Sequence, residues 1–316
     1  TVDRFRVSLD STAGRFTMSQ TADGPSGFAN CLKLDCTTAD TSIAATEQLT
    51  IIQRIEGQDL QQFKKGTSDA EYFTVSFYVK ANASATYVLE LFDNDNSRQI
   101  SKLFNVTSSW SRVVLTFPPD TTGAFNDDNN LSLSLSFQLH FGSNYTSGTL
   151  NTASWASNTN ANRAAGIDSF FSSTDNTFFL TGVQLEVGSV ATPFEHRSYG
   201  EELALCQRYC HRINSNGSDD IQIGSGFYMT TTTCRITINF PVTMRAECAV
   251  TALDSGLDIL RDNTSDTAVA LTASIDESAH GTGLNIEGAA STTVGEGVVL
   301  RLGTEAANFI EFDAEL

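Results

Sequence analysis

Residues 180–210 constrain the fold most, because they read as a strand, a break and a capped helix in immediate succession. From Leu180 to Leu185 apolar residues recur near period two, the pattern of a strand with one buried face. Gly188 and Pro193 end that strand. Ser198 stands three residues before Glu201, the spacing of a capping box, so a helix is expected through about Tyr209. A half-buried strand needs a sheet and a second layer over it. The segment therefore closes a β-domain and starts something else.

The upstream residues supply the other strands. Leu131 to Leu139 alternates leucine or phenylalanine with serine or glutamine, which predicts a leucine face turned inward and a serine face turned outward. Phe73, Val75, Phe77 and Val79 share one face of a second strand. Asp93-Asn94-Asp95-Asn96 separates two more as a hairpin. Residues 4–9 and 15–20 read as paired strands. Further alternations follow the helix, with no period that would mark a solenoid. The expected architecture is all-β: an N-terminal jelly-roll β-sandwich over 1–196, a short linker helix over 197–212, and a smaller C-terminal β-sandwich over 213–316.

A formal net charge of −18 opposes nucleic-acid binding, which needs a basic surface, and docking on anionic membranes. No apolar run approaches the ~20 residues of a membrane span. The six cysteines lack paired C-x-x-C units and the four histidines are scattered, so zinc is not expected. Cys31 and Cys36 fall on opposite faces of a strand, and Cys206 and Cys210 fall on one helix face in poor disulfide geometry. Free, partly buried thiols made in a reducing cytosol are the expectation.

Several segments resemble a jelly-roll domain of bacteriophage tail-fibre and other virion proteins. Gln53-Arg54-Ile55-Glu56-Gly57-Gln58-Asp59-Leu60 is similar to its Q-x-I-E-G-x-x-L element, and Thr74 to Lys80 to its L-S-F-W-V-K strand. Asp120-Thr121-Thr122-Gly123 matches its D-T-T-G turn, with Pro119 where glycine is usual. Thr181 to Gly188 followed by Ala191-Thr192-Pro193-Phe194-Glu195 resembles the closing T-G-V-Q-L-E-x-G-x-x-A-T-P-F-E signature. Residues 202–209 are like the helix that follows it. Phe240 to Arg245 and the terminal Asn308 to Leu316 resemble elements of phage fibre tips. The resemblance implies a virion structural protein made in the host cytoplasm, commonly a homotrimer, bound to other virion proteins and to a host-surface glycan or protein. A tail fibre for host attachment is its first implication. A capsid decoration or head fibre is the second, and a glycan-degrading tailspike the third.

The sequence holds no G-x-S-x-G, H-E-x-x-H or P-loop, so no catalytic residue is expected. Trp155, in a polar loop, with Tyr145 and Tyr199, is the expected contact set for a glycan or a neighbouring subunit, since an aromatic ring offers sugars an apolar face. Trp110, opening a regular strand, reads as core or rim packing. Leu203, Cys206 and Cys210 form the expected subunit-coupling stripe of the helix. No cofactor is expected beyond a structural calcium, for which Asp93, Asp95, Asp127 and Asp128 offer oxygen ligands outside any EF-hand pattern.

Overall fold

The computed structural model describes residues 4–252, 256–261, 264–266, 270–287 and 293–315. The chain divides into two compact units, Thr1–His196 and Arg197–Leu316.

The first unit runs β1 (Phe5–Asp10), β2 (Arg15–Thr21), β3 (Cys31–Thr38), β4 (Gln48–Glu56), β5 (Phe73–Ala81), β6 (Ala85–Asp93), β7 (Arg98–Val106), β8 (Ser111–Phe117), β9 (Leu131–Phe141), α1 (Ser143–Thr146), β10 (Ala156–Ser157) and β11 (Thr177–Val187). Two antiparallel sheets form a jelly-roll sandwich, in the orders β1-β4-β9-β6-β7-β10 and β2-β3-β11-β5-β8. Their inner faces interdigitate Leu133, Leu135, Phe137 and Leu139 of β9 with Phe73, Val75, Phe77 and Val79 of β5, all fully buried. Phe77 meets Phe104 and Phe137 edge-on at ring-centroid distances of 5.1 and 5.0 Å, the preferred geometry for aromatic pairs.

β1 and β2 do not pair with each other: β1 pairs with β4, and β2 with β3 in the opposite sheet. The chain crosses between sheets at residues 11–14, where Ser11 adopts φ 59°. Alternation marked both strands but carried no information about their partners.

The closing signature is explained by folding. β11 bulges between Thr181 and Gln184, and Gly182 there has φ 59°. A Cβ on it would lie 2.6 Å from the Phe28 ring, so only glycine permits the approach. The outward side chains of β11 then hold the returning chain. Glu195 N–H donates to Gln184 Oε1 at 2.8 Å and Thr192 N–H to Glu186 at 3.2 Å. Arg112 donates to the Thr192 carbonyl. Phe194 thereby meets Phe28 edge-on at 5.0 Å.

The second unit opens with α2 (Tyr199–Gln207), whose capping box at Ser198 and Glu201 is formed on both sides. It continues through β12 (Cys210–Asn214), β13 (Ile221–Tyr228), β14 (Thr233–Asn239), β15 (Ala249–Ala252), β16 (Leu257–Arg261), β17 (Thr264–Asp266), β18 (Ala270–Ser278), β19 (Gly281–Glu287), β20 (Gly297–Leu302) and β21 (Phe309–Asp313). A three-stranded sheet β12-β21-β15 and a seven-stranded sheet β17-β16-β20-β13-β14-β19-β18 enclose a core containing Tyr228, Ile236, Leu284, Leu300 and Phe312. Leu316 lies outside the described residues. All six cysteines are free, four buried and two half-buried. Among the described residues no helix is long and apolar enough to cross a membrane.

Candidate functional site

Adjacent strands of the six-stranded sheet are in register, so its outer face is an array of rows. One row crosses Arg6, Ile52, Ser136, Glu90 and Ser101, and the next crosses Arg54, Ser134, Phe92 and Gln99. Every strand supplies polar side chains here because its apolar set is spent on the core. At one end the face is not open to solvent. Residues 145–168 fold over it, and Ser136, Gln138, Glu90, Gln99 and Ser101 are all buried.

Arg163 fastens that cover. Its guanidinium donates to Glu90 from Nε at 2.9 Å and from Nη2 at 2.6 Å, and Gln138 Nε2 donates to the same carboxylate at 2.7 Å. Gln99 Nε2 donates to the Thr159 carbonyl at 3.2 Å, and Gln48 Nε2 to the Tyr145 hydroxyl at 2.8 Å. Gln99 Oε1, Ser101 Oγ, Gln138 Oε1 and Asn151 Nδ2 have no protein partner. Buried polar atoms of this kind are commonly met by ordered water or by hydroxyl groups. Beyond the cover the face is half-exposed at Ile52, Arg54, Ser134 and Phe92, and the Arg163 guanidinium lies 5.2 Å from the Phe92 ring centroid.

The expected contact residues separate. Trp155 is buried, which corrects the expectation that it meets a glycan or a neighbouring subunit from an exposed position in a polar loop. Its indole N–H donates to the Pro118 carbonyl at 2.9 Å, and its ring lies 5.3 Å from Lys65 Nζ. Trp110, by contrast, is half-exposed beside Lys80 and Phe179. Tyr145 is half-buried as part of the cover, and Tyr199 is 82% exposed on α2. Within the first unit Trp155 and Tyr145 engage different partners, and Tyr199 belongs to the second unit.

The coupling stripe is also corrected. Leu203 is exposed and Cys206 half-buried on α2, but Cys210 lies beyond the helix in β12, opposite Asp313. Buried Tyr209 and the Ala314 N–H bond to its carbonyl, at 2.7 Å, draw the chain into the sheet two residues after the helix ends. Burial pushes the Cys210 thiol up to about 11.

Asp93 is a cation ligand, but its cation is a side chain. Lys65 Nζ lies 2.5 Å from Asp93 and 3.1 Å from Asp120, and donates to the Thr122 and Gly123 carbonyls at 3.0 and 2.7 Å. Four oxygens thus surround a buried ammonium, and Phe125 and Trp155 cover it. Arg98 completes Asp120 through two hydrogen bonds at 2.7 and 3.0 Å. The D-T-T-G turn therefore supplies a cage for lysine. Asp95 accepts from Asn126 N and Nδ2, and Asp128 from Asn130 N and Nδ2. Asp95 thus ties its hairpin to the 126–130 loop, Asp128 braces that loop internally, and Asp127 beside them is exposed.

Among the described residues, the group whose ligand atoms do converge is Asp40, Glu47 and His140, which are buried. His140 bonds Glu47 at 2.9 Å through Nε2 and Ser169 Oγ at 2.6 Å through Nδ1. This has the form of a proton relay, yet the Ser169 oxygen is engaged as a helix cap by Phe171 N–H at 3.1 Å. Asp40 accepts from Thr12 Oγ1, Ala13 N and Ser42 N. The group ties four segments together, and it was not singled out in the sequence because its members are 7 to 100 residues apart.

These networks set an acid limit. Hydrogen bonds from Thr12 and from backbone amides hold the Asp40 carboxyl below its ordinary value. Burial opposes ionisation of Asp120, and Arg98 and Lys65 outweigh it, so Asp120 is lowered too. A carboxyl depressed in the folded state contributes stability above its unfolded pKa, near 4, and loses it as pH falls through the folded value. Both tryptophans lie in the first unit. Their fluorescence in urea titrations is therefore expected to give a midpoint flat from pH 7 to about 5 and falling below about pH 4.

Comparison with protein-family models finds no match, and a search of curated proteins finds none. Solved structures do match. A CBM4 structure shares 11% identity over 58% of this chain and 87% of its own, with a TM-score of 0.32. The family 11 carbohydrate-binding module from Clostridium thermocellum, in complex with a β-1,3-1,4-mixed-linked tetrasaccharide, shares 11% over 61% and 93%, at 0.31. The enzymatically active domain of bacteriophage CBA120 tailspike protein 4 shares 11% over 59% of this chain, at 0.34, and only 20% of its own length is spanned. Likeness at this level transfers no residue or ligand.

Proposed function

We propose that this chain is a bacteriophage virion fibre protein that attaches to the host surface, with its jelly-roll unit binding glycan through the outer face of the six-stranded sheet and without catalysis. The observation that carries the glycan reading is the Arg54–Ser134–Phe92 row beside Arg163: planar and hydroxyl hydrogen-bonding groups around a half-exposed ring. A pyranose offers the complementary surface, C–H groups on one face and hydroxyls at the rim. The virion reading is supported by the sequence resemblance of residues 181–195. The trimer reading is supported by α2, a nine-residue helix with no buried side chain, since a helix that short needs packing partners.

A glycan array probed with the whole chain tests this. Retention of a defined glycan is expected, weakened about tenfold in Arg54→Ala and in Phe92→Ala, with unchanged circular dichroism. An array without retention, or retention indifferent to both changes, overturns the site. Incubation with the retained polymer is expected to leave its length unchanged, and shortening would make the chain a tailspike. Light scattering is expected to give three times 34.1 kDa, and a clean monomer removes the trimer.

A further inference from the structure

The second unit carries an aromatic platform of its own. β13 alternates so that Tyr228 is fully buried while Phe227 faces out, 51% exposed, in the middle of the seven-stranded sheet. An exposed phenylalanine at a central sheet position is normally covered by its cross-strand neighbours. Here the neighbour on β20 is Gly297, and even a Cβ placed there would meet nothing within 4 Å. One side of the Phe227 ring is thus left clear. On the other side the register places Arg235 of β14, and beyond it Asn285 of β19. Arg235 Nε donates to Asn285 Oδ1 at 3.4 Å, which aligns the guanidinium and the amide as a polar edge beside the ring. A groove of about 420 Å³ adjoins the row, lined by Ser225, Leu260, Arg261, Gly297 and Val299 among others.

We infer that this row is a second carbohydrate site, taking a pyranose unit of an uncharged polysaccharide. Size selects the occupant first. One open ring and a groove of this volume suit a small ligand, whereas a stable protein partner needs roughly 800 Å² from each side. Charge selects it second. Arg261 faces Glu296 at 3.9 Å, and Arg301, on the same outer face, pairs with Asp220 at 2.7 Å. Residues 201–316 carry a net charge of −11. Phosphate, sulfate or carboxylate ligands gain nothing from matched arginines in an acidic unit, while hydroxyls find donors and acceptors together. The sugar's C–H face covers Phe227, and its hydroxyls reach Arg235, Asn285 and Ser225. The site lies in a different unit from the proposed contact patch at Phe92 and does not depend on it.

Affinity electrophoresis of the whole chain through gels containing dextran, mannan, laminarin or hydroxyethylcellulose tests the inference. Retardation by at least one neutral polymer is expected, unchanged in 0.5 M salt. Phe227→Ala is expected to weaken it about tenfold and Phe227→Trp to preserve it. The ring is exposed, so both variants should keep the wild-type melting temperature. Gly297→Val, which fills the clear side, should also abolish retardation. Phe92→Ala serves as the control for the other unit: retardation lost in Phe92→Ala and kept in Phe227→Ala would overturn this inference and leave the jelly-roll reading standing. No retardation in any neutral polymer, or retardation only in alginate and lost with salt, also overturns it.

Discussion

Replacing Lys65 with methionine is expected to lower the melting temperature of the first unit by roughly 10 °C. Methionine matches the stem of lysine and keeps its packing against Phe125 and Trp155, so the change isolates the charge. It leaves Asp93, fully buried, facing Asp120 with no ammonium between them. Removing one partner of a buried ion pair costs about 3–5 kcal/mol, and each kcal/mol moves the melting point of a unit this size by about 2–4 °C. Arg98 still serves Asp120, so the damage concentrates on Asp93. Lys65→Met with Asp93→Asn should therefore recover a large part of the loss, a coupling that a double-mutant cycle reads directly. Calorimetry that shows equal melting points for wild type and Lys65→Met would mean that the ammonium is not the cage's cation.

What was legible in the sequence was local. The alternation from Leu131 to Leu139 places β9 and its core face, the Asp93–Asn96 turn places the β6–β7 hairpin, and Ser198 with Glu201 places the start of α2. Each rests on contacts within a few residues. The serine face of β9 was read as outward, and so it is, but Ser136 and Gln138 are buried because a segment that follows β9 folds back over them. Polarity told which face they occupy and not whether water reaches it. Trp155 was misplaced for the same reason. Its neighbours are polar, yet its packing partners Lys65 and Phe73 come from far upstream. Phe227 escaped notice for the opposite reason. Its exposure follows from Gly297 on a strand seventy residues later, and no local pattern records an absent neighbour. The ionic centres share this property: Lys65, Asp93 and Asp120 belong to three loops or strand ends that only the sandwich brings together.

Arg163→Met is the second large loss expected, and it links stability to the candidate patch at Phe92. Glu90 has no exposed side-chain surface and depends on Arg163 for its counter-charge. Without the guanidinium only the Gln138 amide, at 2.7 Å, remains against the carboxylate. An uncompensated buried charge costs about 3–5 kcal/mol, and the cover over residues 145–168 relieves it by lifting to admit water. That lifting appears in hydrogen exchange. The Ala164 amide, bonded to the Tyr145 carbonyl at 2.9 Å, should exchange much faster while the core of β9 stays protected. Glu90→Gln combined with Arg163→Met removes both charges and should restore most of the stability without restoring the fastening of the cover. If the single variant is as stable as wild type at pH 8, Arg163 does not hold the cover. If the single and double variants show equal exchange at Ala164 and equal stability, the cover is fastened elsewhere, and the patch at Phe92 is a fixed surface whose shape owes nothing to Glu90.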